Sequence, residues 1–560
     1  MAKETTTPTP APPNEPPRST VTPEQHIEPA QPSIPPPPPT TTPSLHKFPL
    51  FHQLLSRMNA PLPSPSSPHF APFRSMLSDP MPLRAGEVDV LASMSDRLFA
   101  ELPLFFPGSR LSEFLNQARL LATCPASFGR ARRAWEALVC AFVGGGIAIK
   151  ALNGAFGDVG CYAWAFFKRA YALLPELMFC GGGGDDAVVA IRAVLGMVMF
   201  CYRGWAAGRM MGVLLGVVGR MMQMCVSGGK RDAEMERCYR VAFVLDAEMS
   251  AGFGIPSLME PPDLDDDGLQ GVDDPVECTF RHRVALAAVQ FQVYKTLFAS
   301  SADEPTPEDI AQLWQSLEQW RNNALGHVRP ECTHNKGLVL DDPATTVHLI
   351  FYSTAMTLNW VTSRSLMRSG YSADDEVRRK ALRLSQAKCA EAARLVVSLV
   401  VEGVGPQQFL DFWRMLRYPL AAALVLASAT IDTDDPIEGE MNYAALLSFV
   451  DYVRTWADRE GCNVDALAQG CSEVIKLVER TIPLSTEISA DDRPERFNQL
   501  VRDYANPMWL AQSLMSDLDG QNGVAGQLGE ILGTPTSGRY GSFVPESLRP
   551  ETYALTFSYD

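Results

Sequence analysis

No two of the twelve cysteines in this 560-residue chain stand closer than nine positions, the interval from Cys462 to Cys471. That spacing excludes a local Cys-x-x-Cys zinc or redox motif. Histidine is scarce: eight in all, four of them before residue 70, which leaves little material for an acid–base constellation. Neither a Gly-x-Ser-x-Gly elbow nor a His-Glu-x-x-His helix occurs. Long apolar runs are missing as well. The stretch Ala134 to Ile149 is interrupted by Gly144, Gly145 and Gly146 and falls short of the ~20 residues a membrane span needs. Arg203, Arg209 and Arg220 break the apolar series around Gly204 to Gly216, so a helix with a charged edge at the surface is expected there, not a membrane segment. The N-terminus carries no apolar signal-peptide core, so reduced thiols in a nuclear or cytosolic setting are expected.

Negative charge is plentiful. The formal net charge is −16, the pI is near 5.1, and 46% of residues are hydrophobic against 20% charged. An acidic surface repels phosphate, so contact with DNA would need a local basic patch or a partner that supplies one. Two basic clusters exist, Arg130-x-Arg132-Arg133 and Arg378-Arg379-Lys380 with Arg383 and Lys388. Both fall on amphipathic helical patterns and read as solvated faces; the second would also serve as a weak nuclear-import patch.

Three regions follow from composition. Residues 1–84 are rich in Pro, Thr and Ser, with a polyproline run from Pro35 to Pro39, and are expected to be disordered. Residues 85–520 carry helical periodicity almost throughout, and 521–560 form a Gly, Ser and Pro-rich tail expected to be loosely ordered. The predicted fold class is all-α, a large multi-helix domain. Helices are expected over Val88 to Leu102, from Ser109 to Ala122, over Ala131 to Ala151 with an interruption at the three glycines, and as one piece over Tyr162 to Met178. Beyond Pro262 they are expected near 277–300, 307–325, 344–369, 373–402, 406–429, 440–459, 464–481 and 494–517. Thr306-Pro307-Glu308-Asp309 is a strong start signal, as is Ser372 with Asp374, Asp375 and Glu376.

Few stretches look like sites. Asp263-Leu264-Asp265-Asp266-Asp267-Gly268, with Asp274 in the twelfth position, fits the opening of a calcium loop. Gln270 occupies its usual hydrophobic position, and Pro261-Pro262 separates it from the preceding helix, so a solvated acidic loop is expected. Cys332-Thr333-His334 with His327 lacks a fourth ligand. Gly228-Gly229-Lys230 has neither a preceding strand nor a Ser/Thr after the lysine, and reads as a helix end. No metal and no cofactor is expected.

The interval from Ile191 to Pro256 organises the rest: two dense apolar helices, a third amphipathic helix and a glycine-rich exit. Gly204, Gly208, Gly212 and Gly216 recur at i, i+4. Each costs ~1 kcal/mol relative to alanine in a helix interior, so close approach of another helix along that stripe is expected. Tyr239, Phe243, Val244 and Ala247 offer the matching side. Asp246 is expected either to pair with Arg220 or to be solvated.

Gly216 and Arg220-Met221, then Arg237, Tyr239, Phe243, Leu245-Asp246, Ser250, Gly254-Ile255-Pro256 and Asp263, resemble the signature of the regulatory middle homology region of fungal zinc-cluster transcription factors. In that family the helix carries an Arg, an aromatic pair, a further aromatic, Leu-Asp, a Ser and then Gly-Arg-Pro. Arg240 stands here in place of the second aromatic, and Ile255 in place of the arginine. The aromatic turn Leu104 to Pro107 resembles the entry to the region, and the similarity spans residues 85 to about 480. The resemblance implies an all-α regulatory domain in the nucleus, with the cytoplasm as a second compartment, that responds to a small-molecule effector or a protein partner. The partner would be the transcription machinery or another zinc-cluster factor, and a biosynthetic gene cluster is an analogous setting. It also implies an N-terminal six-cysteine zinc cluster that reads DNA. The first cysteine here is Cys124, so no direct DNA binding is expected of these residues. Either the protein regulates without its own cluster, or an upstream exon supplies it, since the Pro/Thr-rich N-terminus resembles the linker that follows the cluster. Two alternatives stand beside this: a diverged α-helical enzyme on the same scaffold, and an adaptor that heterodimerises with an intact zinc-cluster factor.

Overall fold

The computed structural model describes residue 88 and residues 111–152, 160–179, 185–204, 208–225, 233–263, 275–299, 305–324, 328–330, 343–368, 376–403, 415–457, 465–480, 492–516, 527–528 and 531. These residues form sixteen α-helices and no strand, so the all-α expectation holds. The expected disordered segment 1–84, the helix over Val88 to Leu102 apart from Val88 itself, the Ser372 start signal and the tail 521–560 apart from 527–528 and 531 lie outside the described residues. So do the turn Leu104 to Pro107, the loop 264–274, His327, Cys332 and His334. No helix among the described residues is long and apolar enough to cross a membrane.

Consecutive helices pack on one another. The first group comprises α1 (Leu111–Thr123), α2 (Arg132–Leu152), α3 (Gly160–Ala172), α4 (Leu174–Met178), α5 (Asp185–Gly204), α6 (Gly208–Cys225) and α7 (Ala233–Phe253). Here α2 lies against α3 and α5, α5 against α6, and α7 against both α5 and α6. The series continues with α8 (Pro275–Tyr294), prolonged by a π turn over Lys295–Ala299, then α9 (Pro307–Asn323), α10 (Pro343–Arg368) and α11 (Glu376–Gly403). It ends with α12 (Arg417–Asp432), α13 (Pro436–Ala457), α14 (Asp465–Glu479), α15 (Arg493–Asp503) and α16 (Pro507–Ser516). The centre is α12, in which every residue from Arg417 to Ser428 is buried. The last helix, α16, returns to pack on α7, α10 and α12.

Local chemistry sets several helix ends. Thr306 accepts from the Asp309 amide at 3.2 Å, while Asp309 accepts from the Thr306 amide at 2.9 Å, the reciprocal cap the sequence predicts for α9. The single helix expected over Tyr162 to Met178 is two, because Pro175 in the first turn of α4 cannot continue the hydrogen-bond ladder of α3. The segment expected over 494–517 is also two helices. Tyr504 is extended after α15, and Asn506 accepts from the Met508 amide at 2.9 Å to cap α16.

The three glycines do not interrupt α2, which runs through them. A Cβ on Gly144 would lie 3.0 Å from the Ala163 carbonyl oxygen and 3.2 Å from Phe166 Cβ on α3, so the glycine lets two backbones approach and the packing offsets its low propensity. Gly196 of α5 instead makes room for side chains of α2, where a Cβ would meet the Phe142 ring at 2.8 Å and the Ala141 Cβ at 3.1 Å. The stripe singled out by spacing behaves differently. Gly204 ends α5 and Gly208 begins α6, so the four glycines do not share one helix. Cβ atoms on Gly212 and Gly216 would find only side chains of Met249, Ile255 and Leu258 at 3.5 Å or more. Side-chain contact, not close backbone approach, covers that stripe.

Candidate functional site

The motif residues serve the end of α7 and the chain leaving it. Arg237 donates to Glu277 at 2.6 Å and lies over the Phe280 ring at 4.7 Å, which pins α7 to α8. Burial pulls its guanidinium down to about 10, against the opposing pull of Glu277. Tyr239 donates to the Glu260 carbonyl at 2.8 Å. Phe243 is fully buried, tilted on Phe291 with centroids 6.1 Å apart. Ser250 is buried and donates to the Asp246 carbonyl at 3.0 Å. Gly254 has φ of +67°, a value that favours glycine, and a Cβ there would meet the Trp509 ring at 3.0 Å. Pro256 is exposed on the exit strand of chain.

Asp246 neither pairs with Arg220 nor faces water, so both expectations are corrected. Its Oδ2 accepts from Ser257 Oγ at 2.6 Å and from the amides of Leu258 and Met259 at 2.8 and 3.0 Å. Arg220 is exposed on α6 and donates to Gln223 at 3.0 Å. Burial raises the Asp246 carboxyl above the ordinary range, partly opposed by these three donors. Asp246 therefore fixes the exit loop, and Gly216 lies beneath it with Leu258 Cδ1 3.5 Å from where its Cβ would be. The two departures from the family pattern also have places. Arg240 makes an i, i+4 pair with Glu236 at 3.2 Å, and Ile255 covers Gly212 at 3.7 Å.

Two residues beyond Asp246 lies the group the spacing did not flag. Every residue from Val241 to Ser250 is buried, so Glu248 has no solvent to turn to and must be paired. Its Oε1 accepts from Arg283 of α8 through Nε at 3.0 Å and Nη2 at 2.6 Å. Its Oε2 accepts from the hydroxyl of Tyr202, near the end of α5. Arg417, first residue of α12, holds Nη2 3.9 Å from the same oxygen and donates to Tyr202 at 3.3 Å and Tyr418 at 3.0 Å. Its guanidinium also faces the rings of Tyr418, Tyr202 and Phe253 at 4.8, 5.4 and 5.7 Å. Burial raises the Glu248 carboxyl, but Arg283, Arg417 and Tyr202 outweigh it and hold the group below the usual carboxylate range. The Tyr202 phenol is pushed well above its ordinary value by burial and by Glu248, so it stays a donor.

A cavity of about 30 Å³ opens beside this cluster, room for two or three water molecules at ~10–15 Å³ each. Glu248 and Arg417 form one side, Gln290 and the π turn at Phe298 another, and Thr357 and Asn506 a third. Comparisons with protein-family models, with curated proteins and with solved structures found no match to this chain. The geometry alone therefore says what this site can do. Its ionised groups are engaged mainly with one another, Glu248 accepting from Arg283 and Tyr202, and the buried thiols Cys140, Cys389 and Cys471 are pushed to about 12 chiefly by burial. Among the described residues no group of three or more His, Cys, Asp or Glu is placed to hold a metal.

The motif brings Arg237, Tyr239, Phe243, Asp246, Ser250 and Gly254 together around α7, while Arg220 and Pro256 stand outside at the surface. Tyr202, Glu248, Arg283, Arg417 and Tyr418 were missed because they come from four helices. A usable signal did exist: charged residues inside otherwise apolar helical runs, Arg417 before Leu420–Ala427 above all.

Proposed function

We propose that this chain is a transcriptional regulator of the fungal zinc-cluster type that acts by binding an effector or a protein partner. The reading is of a nuclear protein, shared with the cytoplasm, that contacts the transcription machinery or an intact zinc-cluster factor and serves a biosynthetic gene cluster. It binds rather than turns over what it receives. Support comes from the signature residues around α7, where Asp246 closes the exit loop and Glu248 ties α5, α7, α8 and α12 into one unit. A ligand or partner that displaced any one of those helices would be felt by the others, because packed cores rearrange between discrete arrangements instead of deforming smoothly. A carboxylate held ionised and fully hydrogen-bonded suits that role better than proton transfer, for which a free lone pair within reach is needed.

The test is a fusion of the full chain to an unrelated DNA-binding domain, with a reporter behind the cognate operator. Reporter output should change on recruitment and should revert when Asp246→Ala or Glu248→Gln is introduced into a fusion of equal abundance. A fusion that leaves transcription untouched, with purified protein that consumes a small molecule, would sink the proposal in favour of an enzyme.

A further inference from the structure

Exposed aliphatic side chains on a folded surface are normally scattered singly. Two helices of this chain carry them in line. On the first three turns of α11, Val377 is 80% and Leu384 56% exposed, and Ala381 is exposed between them. On α13, Ile437 is 71% and Met441 51% exposed, and Ala444 continues the row at the surface. Each trio stands at i, i+4, i+7, the spacing that holds one face of a helix. The charges around the two rows are opposite in sign. From Glu376 to Lys388 five cations stand against one carboxylate, Glu376, which pairs with Arg379 at 3.1 Å. From Asp434 to Ser448 there are four carboxylates and no cation. On a chain of net charge −16 the α11 row is a local exception. Both rows face solvent, so within one molecule neither covers the other.

We propose that α11 of one molecule docks antiparallel on α13 of a second copy, through these two rows. Antiparallel pairing sets Val377 against Ala444, Ala381 against Met441 and Leu384 against Ile437. Two of the three layers then oppose a large side chain to a small one, which lets helices approach closely. In the same register Lys380 falls beside Glu440 and Lys388 beside Asp434, so the apolar seam is bordered by opposite charges. The occupant is a second copy because one chain supplies both halves of the match. The two surfaces differ, so the contact is head-to-tail: each bound pair still offers one α11 row and one α13 row, and association continues past the dimer unless the rotation closes a ring. Three helical turns a side make a small contact of the transient class, and salt screens its charged border. The contact does not depend on what the chain regulates.

The measurement is sedimentation velocity of the purified full chain over a concentration series, at low and at high salt. At low salt the average mass should climb above the 61.4 kDa monomer as concentration rises, and high salt should bring it back. Lys380→Glu with Lys388→Glu reverses the α11 border, and Asp434→Lys with Glu440→Lys reverses the α13 border. All four positions are exposed, so the fold is left intact. Each double variant should associate about tenfold more weakly or less still, because two attractions become repulsions. The α13 variant is the sharper of the two: it lowers the net negative charge, so relief of general repulsion alone would make it associate better, not worse. A chain carrying all four reversals restores opposite borders and should recover the association. A wild type that is monomeric at every concentration, a double variant that associates like the wild type, or a fourfold variant as weak as the doubles would each overturn the contact.

Discussion

Glu248→Gln removes one charge from the middle of the protein without changing its volume. In the wild type Glu248 Oε1 takes two donors from Arg283, and Oε2 takes Tyr202 with Arg417 alongside at 3.9 Å. All of these side chains are nearly excluded from water. Removing one partner of a buried ion pair typically costs about 3–5 kcal/mol, because the remaining charge is left desolvated. Against a typical total of ~5–15 kcal/mol that is a large fraction. An exposed pair gives the internal scale: Glu376, with 75% side-chain exposure, meets Arg379 at 3.1 Å, and Glu376→Gln should cost below ~0.5 kcal/mol. Urea unfolding followed by circular dichroism at several pH values reads both. The sign with pH is fixed by the depressed carboxyl of Glu248. Its contribution is complete above the unfolded value near ~4.3 and is lost as pH falls through the lower folded value, so the gap between wild type and Glu248→Gln should close in that acid window. A Glu248→Gln protein as stable as Glu376→Gln at neutral pH would refute the account of the cluster.

Asp246→Ala should cost about 2–4 kcal/mol by stranding the amides of Leu258 and Met259. Asp246→Asn, which keeps an acceptor and sheds the desolvated charge, should cost clearly less; amide exchange at 258 and 259 reports the difference. Among the glycines, Gly196→Ala should destabilise by about 1–3 kcal/mol because its Cβ would lie 2.8 Å from the Phe142 ring. Gly219→Ala meets nothing within 4 Å on α6 and should stabilise by ~0.5–1 kcal/mol, read as a higher thermal midpoint. Thr306→Ala should cost ~1 kcal/mol through loss of the α9 cap, and a change within error in urea titration would count against the reciprocal cap.

Helix identity was legible because it depends on local matters: 3.6-residue periodicity and the Thr306–Asp309 cap with Pro307 at the start of α9. Which glycine does what was not. Spacing pointed to the series from Gly204 to Gly216, whereas the tight contacts fall at Gly144 and Gly196, the first of them in a run that reads as a break. Period alone cannot tell a glycine that ends a helix from one that admits a neighbour, since the difference lies in the neighbour. Asp246 shows the same limit of local reasoning, because its donors sit eleven to thirteen residues on, in a loop whose path periodicity does not give.

The sequence by itself determined that the described residues are helical. It did so because propensity and amphipathic period are properties of neighbouring residues. Only the tertiary structure decided that Tyr202, Glu248, Arg283, Arg417 and Tyr418 meet. Residues separated by 215 positions, as Tyr202 and Arg417 are, are brought together by the packing of whole helices, and the burial that gives their charges consequence exists only once that packing is complete.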